Sequence, residues 1–157
     1  MTEELFCHYY EKYKNTVYSV IFNYVQNTED TADLLQEVFI KLYAGENHFA
    51  GDEHMKAWLI RVSVNLCKNH LRSSKIRKIV PLEEEIPFFD KKEDNELIKI
   101  VFTLPEKYRI PIHLFYYEEY SIKEIGDILN MPEATVKIRL KRGREKLSKI
   151  LNKEDWL

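Results

Sequence analysis

Between Glu133 and Lys149 the chain carries Lys137, Arg139, Lys141, Arg142, Arg144, Lys146 and Lys149 against Glu133 and Glu145, a net of +5. Cations at this density can neutralise a phosphate backbone. At about 100° per residue, Ala134, Lys137, Ile138 and Lys141 fall on one side of a helix, with Val136, Leu140, Gly143 and Leu147 on the other. One side packs and the other is presented. A helix divided in this way can enter a major groove, its flanking cations on phosphates and its central face at the base edges. The competing reading is a solvated amphipathic helix in an ordinary bundle. A second polar set lies earlier in the chain, where Arg61, Asn65, Lys68, Asn69, His70 and Arg72 share one helix and its C-terminal end. Asparagine is a poor helix former, so two in one helix need a reason; amides that hydrogen-bond base edges are one, capping another. Cations beside amides and aromatics suit single-stranded nucleic acid.

The basic helix needs a support, and the residues before it supply one. Ser121 and Glu124 form an S-x-x-E capping box that starts a helix. Ile122, Ile125, Ile128 and Leu129 give that helix an apolar face, and Gly126 removes a side chain where a second helix approaches. Asn130 tolerates the left-handed conformation that ends a helix, Pro132 suits the first position of the next, and Glu133 favours its positive end. Two helices around a tight turn, the second one basic, read as a helix-turn-helix.

A chain of 157 residues with 45% hydrophobic and 32% charged residues is globular rather than disordered. Four glycines and few alternating β-branched runs predict a nearly all-α fold. No apolar run reaches the length of a membrane span, and Met1 to Phe6 lacks the character of a signal peptide, so a cytoplasmic protein without membrane insertion is expected. Cys7 and Cys67 are far apart in sequence and are expected to be buried, reduced thiols; no metal site or cofactor is expected. The net charge of −2 hides a strong asymmetry. Residues 1–60 hold ten acids and four bases, residues 61–80 six bases and no acid, and residues 81–96 seven acids against Lys91 and Lys92. Two basic zones flank an acidic one, which suggests two nucleic-acid contacts, with acidic surface left to repel non-specific DNA or meet a protein.

In chain order, Leu5, Phe6, Tyr9, Tyr10, Tyr13, Val17, Ile21, Tyr24 and Val25 predict a long first helix whose tyrosines lie in the core. Thr28 is expected to cap a second helix that buries Leu35, Val38, Phe39 and Leu42 and carries Asp33, Gln36, Glu37 and Lys41 outside. Residues 46–54 read as a polar loop anchored by Phe49. A third helix, from about Met55 to Ser73, is expected to turn Trp58, Leu59, Val62 and Leu66 inward. A linker follows, then a helix opened near Asp94 or Asn95 with Leu97, Ile100, Val101 and Leu104 inward. The next runs to Tyr117 with Tyr108, Ile112 and Phe115 inward, and Pro111 within it must kink the helix or mark its start.

Three blocks resemble the extracytoplasmic-function group of sigma-70 factors, the small promoter-recognition subunits of bacterial RNA polymerase. Asp33-Leu-Leu-Gln36-Glu37-Val-Phe39-Ile-Lys41-Leu-Tyr43 is similar to the polymerase-binding helix of region 2. Trp58-Leu59-Ile-Arg61-Val-Ser-Val-Asn65-Leu-Cys-Lys-Asn69-His70-Leu-Arg72 is similar to the promoter-melting and minus-ten-element helix. Leu104-Pro105-Glu-Lys-Tyr108-Arg109 with the helix-turn-helix resembles region 4, which reads the minus-thirty-five element. The chain departs from the family at Asn69, where many members have aspartate, at Asn130, where glycine is usual, and at Glu133-Ala134, where a small pair often opens the recognition helix.

The resemblance implies two small helical domains, region 2 over 1–76 and region 4 over 95–153, joined by a flexible acidic linker over 77–94. It implies a sigma factor that binds core RNA polymerase and promoter DNA, under stress or envelope signals, with an anti-sigma factor as a further partner and no small-molecule substrate. Asp33, Gln36, Glu37, Phe39 and Lys41 would bind the polymerase. Phe49, Trp58, Arg61, Asn65, Lys68, Asn69, His70 and Arg72 would meet the minus-ten element. Ala134, Thr135, Lys137, Ile138, Arg139, Lys141 and Arg142 would meet the minus-thirty-five element. The alternative is a free-standing helix-turn-helix repressor with a sensing or dimerising N-terminal half, which leaves the second basic zone unexplained. An enzyme is disfavoured, since the histidines are scattered and there is no H-E-x-x-H, P-loop or G-x-S-x-G motif and no carboxylate pair.

Overall fold

The computed structural model describes residues 1–73 and 92–153, whose regular structure is entirely α-helical. The chain divides into two compact units, Met1–Val80 and Pro81–Leu157. The expected linker lies, through residue 91, outside the described residues; residues 92–94 form the first turn of a helix.

In the first unit α1 (Glu3–Val25), α2 (Thr28–Ala44) and α3 (Asp52–Ser73) each pack against the other two. Val17, Val20 and Ile21 of α1 meet Leu34, Val38 and Leu42 of α2 and Leu59, Ile60 and Val64 of α3 in a core closed to solvent. The tyrosines of α1 divide: Tyr13 and Tyr24 are buried, whereas Tyr9, Tyr10 and Tyr18 are half-buried. Cys67 is buried as expected, but Cys7 is exposed, because the first two turns of α1 stand on the surface, with Leu5 exposed and Phe6 half-buried.

Three sequence expectations shift by a residue, each for a visible reason. The cap of α2 is Asn27 rather than Thr28: its side chain accepts from the Asp30 N–H at 3.0 Å. The inward stripe of α2 runs through Leu34, leaving Leu35 half-buried. On α3 the buried seam is Met55, Leu59, Ile60, Ser63, Val64 and Cys67, with Trp58, Val62 and Leu66 at its margins. Ser63 hid that seam from an apolar count, but its hydroxyl donates to the Leu59 carbonyl at 2.6 Å and so enters the core satisfied. The helix also begins three residues earlier than expected, with Asp52 and Glu53 at its positive end and Asp52 held by Lys12 of α1. The Lys12 ammonium holds the Asp52 carboxyl below its ordinary range.

In the second unit α5 (Glu106–Tyr116) is the central helix, packed by α4 (Lys92–Val101), α6 (Ile122–Leu129) and α7 (Glu133–Lys153). Every residue from Tyr108 to Leu114 is buried, as befits a helix covered on all sides. Pro111 lies inside α5 rather than at its start. Ile98 replaces the expected Ile100 at the α4 seam, and Phe115 is only half-buried. Arg109 is buried, its Nη1 donating to the Leu104 carbonyl at 3.0 Å.

His113 stacks on Tyr117 with ring centroids 5.5 Å apart, and neither imidazole nitrogen has a hydrogen-bond partner among the described residues. Burial pushes its pKa down from 6.5 to about 3, so the folded core holds only the neutral ring. Because the folded value lies below the unfolded one, this stability is complete above the unfolded pKa and is lost as pH falls from 6.5 towards about 3. By about pH 5 the loss should reach about 2 kcal/mol for the second unit. Amide exchange along α5, corrected for intrinsic rates, should show that loss, and His113→Leu should remove most of it; an unchanged acid sensitivity in the variant would exclude His113 as its source.

Candidate nucleic-acid interface

The helix-turn-helix forms as its residues dictate. Ser121 Oγ accepts from the Glu124 N–H at 3.1 Å, and Glu124 Oε1 accepts from the Ser121 N–H at 3.0 Å, closing the capping box. Asn130 ends α6 in the left-handed region at φ 55°. Gly126 is required, though by the turn itself: a Cβ there would lie 2.8 Å from the Met131 carbonyl oxygen. Pro132 stands one residue before α7, its carbonyl accepting from the Thr135 and Val136 N–H groups.

On α7, Val136 and Leu140 are buried, and Gly143 lies against α5, where a Cβ would meet Ile112 Cδ1 at 2.3 Å and Tyr108 Cβ at 3.3 Å. That contact turns Ala134, Lys137, Ile138, Lys141 and Arg142 outward, all exposed. Thr135 and Arg139 are half-buried at the edges of the face. The presented surface is thus a cationic helix side with one large apolar residue, Ile138, at 49% exposure.

On α3 the exposed line is Arg61, Asn65, Asn69 and Arg72, continuous with half-buried Trp58. Their spacing of three or four residues stacks them along one face, opposite the buried seam. Phe49, from the loop before α3, packs edge-on against Trp58 at 5.6 Å and His54 at 5.4 Å, so loop and helix form a single aromatic and amide surface. Lys68 is half-buried beside it. His70 departs from expectation. About 120° around the helix from that line, it turns towards α2, where its Nε2 lies 3.2 Å from Asp30 Oδ2. That contact ties the end of α3 to the start of α2.

On α2, Asp33, Gln36, Glu37 and Lys41 are exposed as expected, but Phe39 is only 3% exposed, its ring edge-on to Tyr10 and Phe6. Of the consecutive apolar residues Val38, Phe39 and Ile40, the first two face the neighbouring helices and are buried. Ile40 is the one left out, at 64% exposure, on the same face as Asp33 and Glu37. The sequence reading missed Ile40 and also Tyr43, which is half exposed. Both border a groove of about 570 Å³ between α1 and α2, whose lining also includes Phe6, Tyr10, Gln36 and Phe39. A second apolar groove of about 510 Å³, lined by Leu97, Val101, Tyr116 and Leu147, lies between α4, α5 and α7. It too was hidden in sequence, since its residues have the spacing of core.

Among the described residues the fold is all-helical, with a supported helix-turn-helix in one unit and an aromatic, amide and cationic face in the other, the parts of a helical nucleic-acid-binding protein. Its sequence matches the model of sigma-70 region 2 over residues 9–76 and that of sigma-70 region 4 over residues 94–147. It is 31% identical to the ECF RNA polymerase sigma factor SigW of Bacillus subtilis, over 95% of this chain and 90% of that protein. It is 34% identical to the ECF RNA polymerase sigma-E factor of Escherichia coli K12, over 85% and 80%. Its fold is shared with the sigma factor RpoE of Bartonella quintana, solved in complex with the anti-sigma factor NepR, at a TM-score of 0.74 and 17% identity over 94% of this chain and 96% of that one. The chain belongs to the extracytoplasmic-function group of the sigma-70 family and is a sigma factor, a subunit that binds core RNA polymerase and directs promoter recognition and transcription initiation. The repressor alternative falls, because its sensing N-terminal half is a sigma-70 region 2.

The Gly126 contact gives a test of the turn. Glycine to alanine inside a helix ordinarily stabilises by about 1 kcal/mol. At Gly126 the sign should reverse, to a loss of about 1 to 3 kcal/mol, as the new methyl displaces the Met131 carbonyl. Urea denaturation of Gly126→Ala should show the loss; a gain would mean that the turn adapts freely.

Proposed function

We propose a division of labour among three presented faces. The α2 face with Asp33, Gln36, Glu37 and Lys41, extended by Ile40 and Tyr43, docks on the clamp helices of the polymerase's largest subunit. The Phe49 loop and the α3 line of Trp58, Arg61, Asn65, Asn69 and Arg72, with Lys68 beside it, hold the minus-ten element once its strands part. The α7 face from Ala134 to Arg142 binds the minus-thirty-five element as closed duplex. The observation that carries this reading is the placement of Asn65 and Asn69 on the exposed line of α3, opposite its buried seam. Amides displayed beside cations and aromatics can pair with unstacked bases, and nothing in the core needs them there.

An anti-sigma factor is included in the proposal as a further partner, supported by the co-crystallised relative of the same fold. The bond-making chemistry of transcription is left to the polymerase, and this chain acts where polymerase and chromosome meet, in the cytoplasm. No helix among the described residues is long and apolar enough to cross a membrane.

Two paired substitutions test the division. Asp33→Ala with Glu37→Ala should weaken binding to core polymerase while shifting stability by no more than about 0.5 kcal/mol, since both carboxylates are exposed. Undiminished core affinity would remove the α2 assignment. Asn65→Ala with Asn69→Ala should spare the closed complex and slow opening, because captured bases stabilise only the melted state. Permanganate footprinting reads the difference, and wild-type melting by this variant would remove the base-capture role.

A further inference from the structure

At the centre of the presented face of α7 stands a residue unsuited to phosphate. Ile138 is 49% exposed, with Lys141 and Arg142 exposed on its two sides and Ala134 one turn before it. It lies about 160° around the helix from both Val136 and Leu140, the buried seam, and so projects farthest from the unit's core. In a helix lying in a major groove, that position faces the floor, where the base edges are, while the flanking cations face the phosphate walls. Isoleucine neither gives nor accepts a hydrogen bond. It cannot pair with the polar edge of guanine, cytosine or adenine. The apolar group on the major-groove floor is the C5 methyl of thymine.

We infer that Ile138 is a specificity-determining residue that selects a thymine, on one strand or the other, within the upstream promoter element by covering its C5 methyl. Ala134 supports this placement, since its small side chain leaves room for the base pair to approach the helix. Glu145, two turns on and exposed on nearly the same line, places a carboxylate where the helix leaves the groove, which confines the contact to the first turns of α7. The inference rests on the assignment of α7 to upstream duplex.

The test uses the full chain bound to core polymerase, and promoters recovered by transcription from genomic fragments. Each thymine of the upstream element is replaced singly by deoxyuridine, which removes only the methyl group. At one position the substitution should weaken closed-complex formation about 4-fold for the wild type, the size expected for one buried methyl. For Ile138→Ala the same substitution should have no effect, and the salt dependence of binding should stay that of the wild type, because no phosphate contact has been removed. Tolerance of uracil at every position, or an equal penalty in Ile138→Ala, overturns the inference. A separate arm examines its foundation. If Lys137→Ala with Lys141→Ala leaves both affinity and salt slope unchanged, α7 does not lie on duplex, and the assignment and the inference fall together.

Discussion

Where α7 crosses α5, Gly143 lies close against Ile112 and Tyr108, and with buried Val136 and Leu140 it forms the seam that decides what α7 presents. A helix has one circumference. Fixing Gly143, Val136 and Leu140 on the seam fixes Ala134, Ile138, Lys141 and Arg142 on the opposite side. The rest of the second unit holds that contact in place. α5 is buried all round so that α4, α6 and α7 can each lie on it, and the Gly126 turn sets α6 beside α7. The same logic governs the first unit, where burial of Leu59, Ile60, Val64 and Cys67 on α3 leaves Arg61, Asn65 and Asn69 outside.

Much of this was legible in the sequence. The capping box, the left-handed Asn130 and the period of α7 are local signals, set by neighbours within one or two turns. What escaped was decided by tertiary contacts. Ser63 sits in the α3 seam because it can return a hydrogen bond to its own helix, which an apolar count cannot register. Ile40 is left exposed while Phe39 packs beside Phe6 and Tyr10 of α1. His70 stands in sequence among cations and amides, and only the approach of α2 reveals its contact with Asp30. The two apolar grooves were hidden for a related reason, since residues such as Tyr43 and Tyr116 have the spacing of core and are left half exposed at its rim.

The charge pattern acquires a meaning from the structure. The −2 balance would serve a free-standing DNA-binding protein poorly, because long-range attraction to duplex grows with net positive charge. For a subunit that meets DNA together with a polymerase, weak attraction of its own is an advantage. Under the proposed assignment the acidic surface of the first unit would discourage wandering on non-specific DNA, while the exposed cations of α3 and α7 would make the contacts.

The central claim is that this chain gives core RNA polymerase a promoter specificity the core lacks. Run-off transcription on a genomic DNA library, with core polymerase in the presence and absence of the protein, measures it directly. The account predicts discrete new start sites that appear only with the protein and share two sequence elements upstream. Transcripts identical with and without it, or repression at palindromic sites bound by the protein alone, would contradict the account.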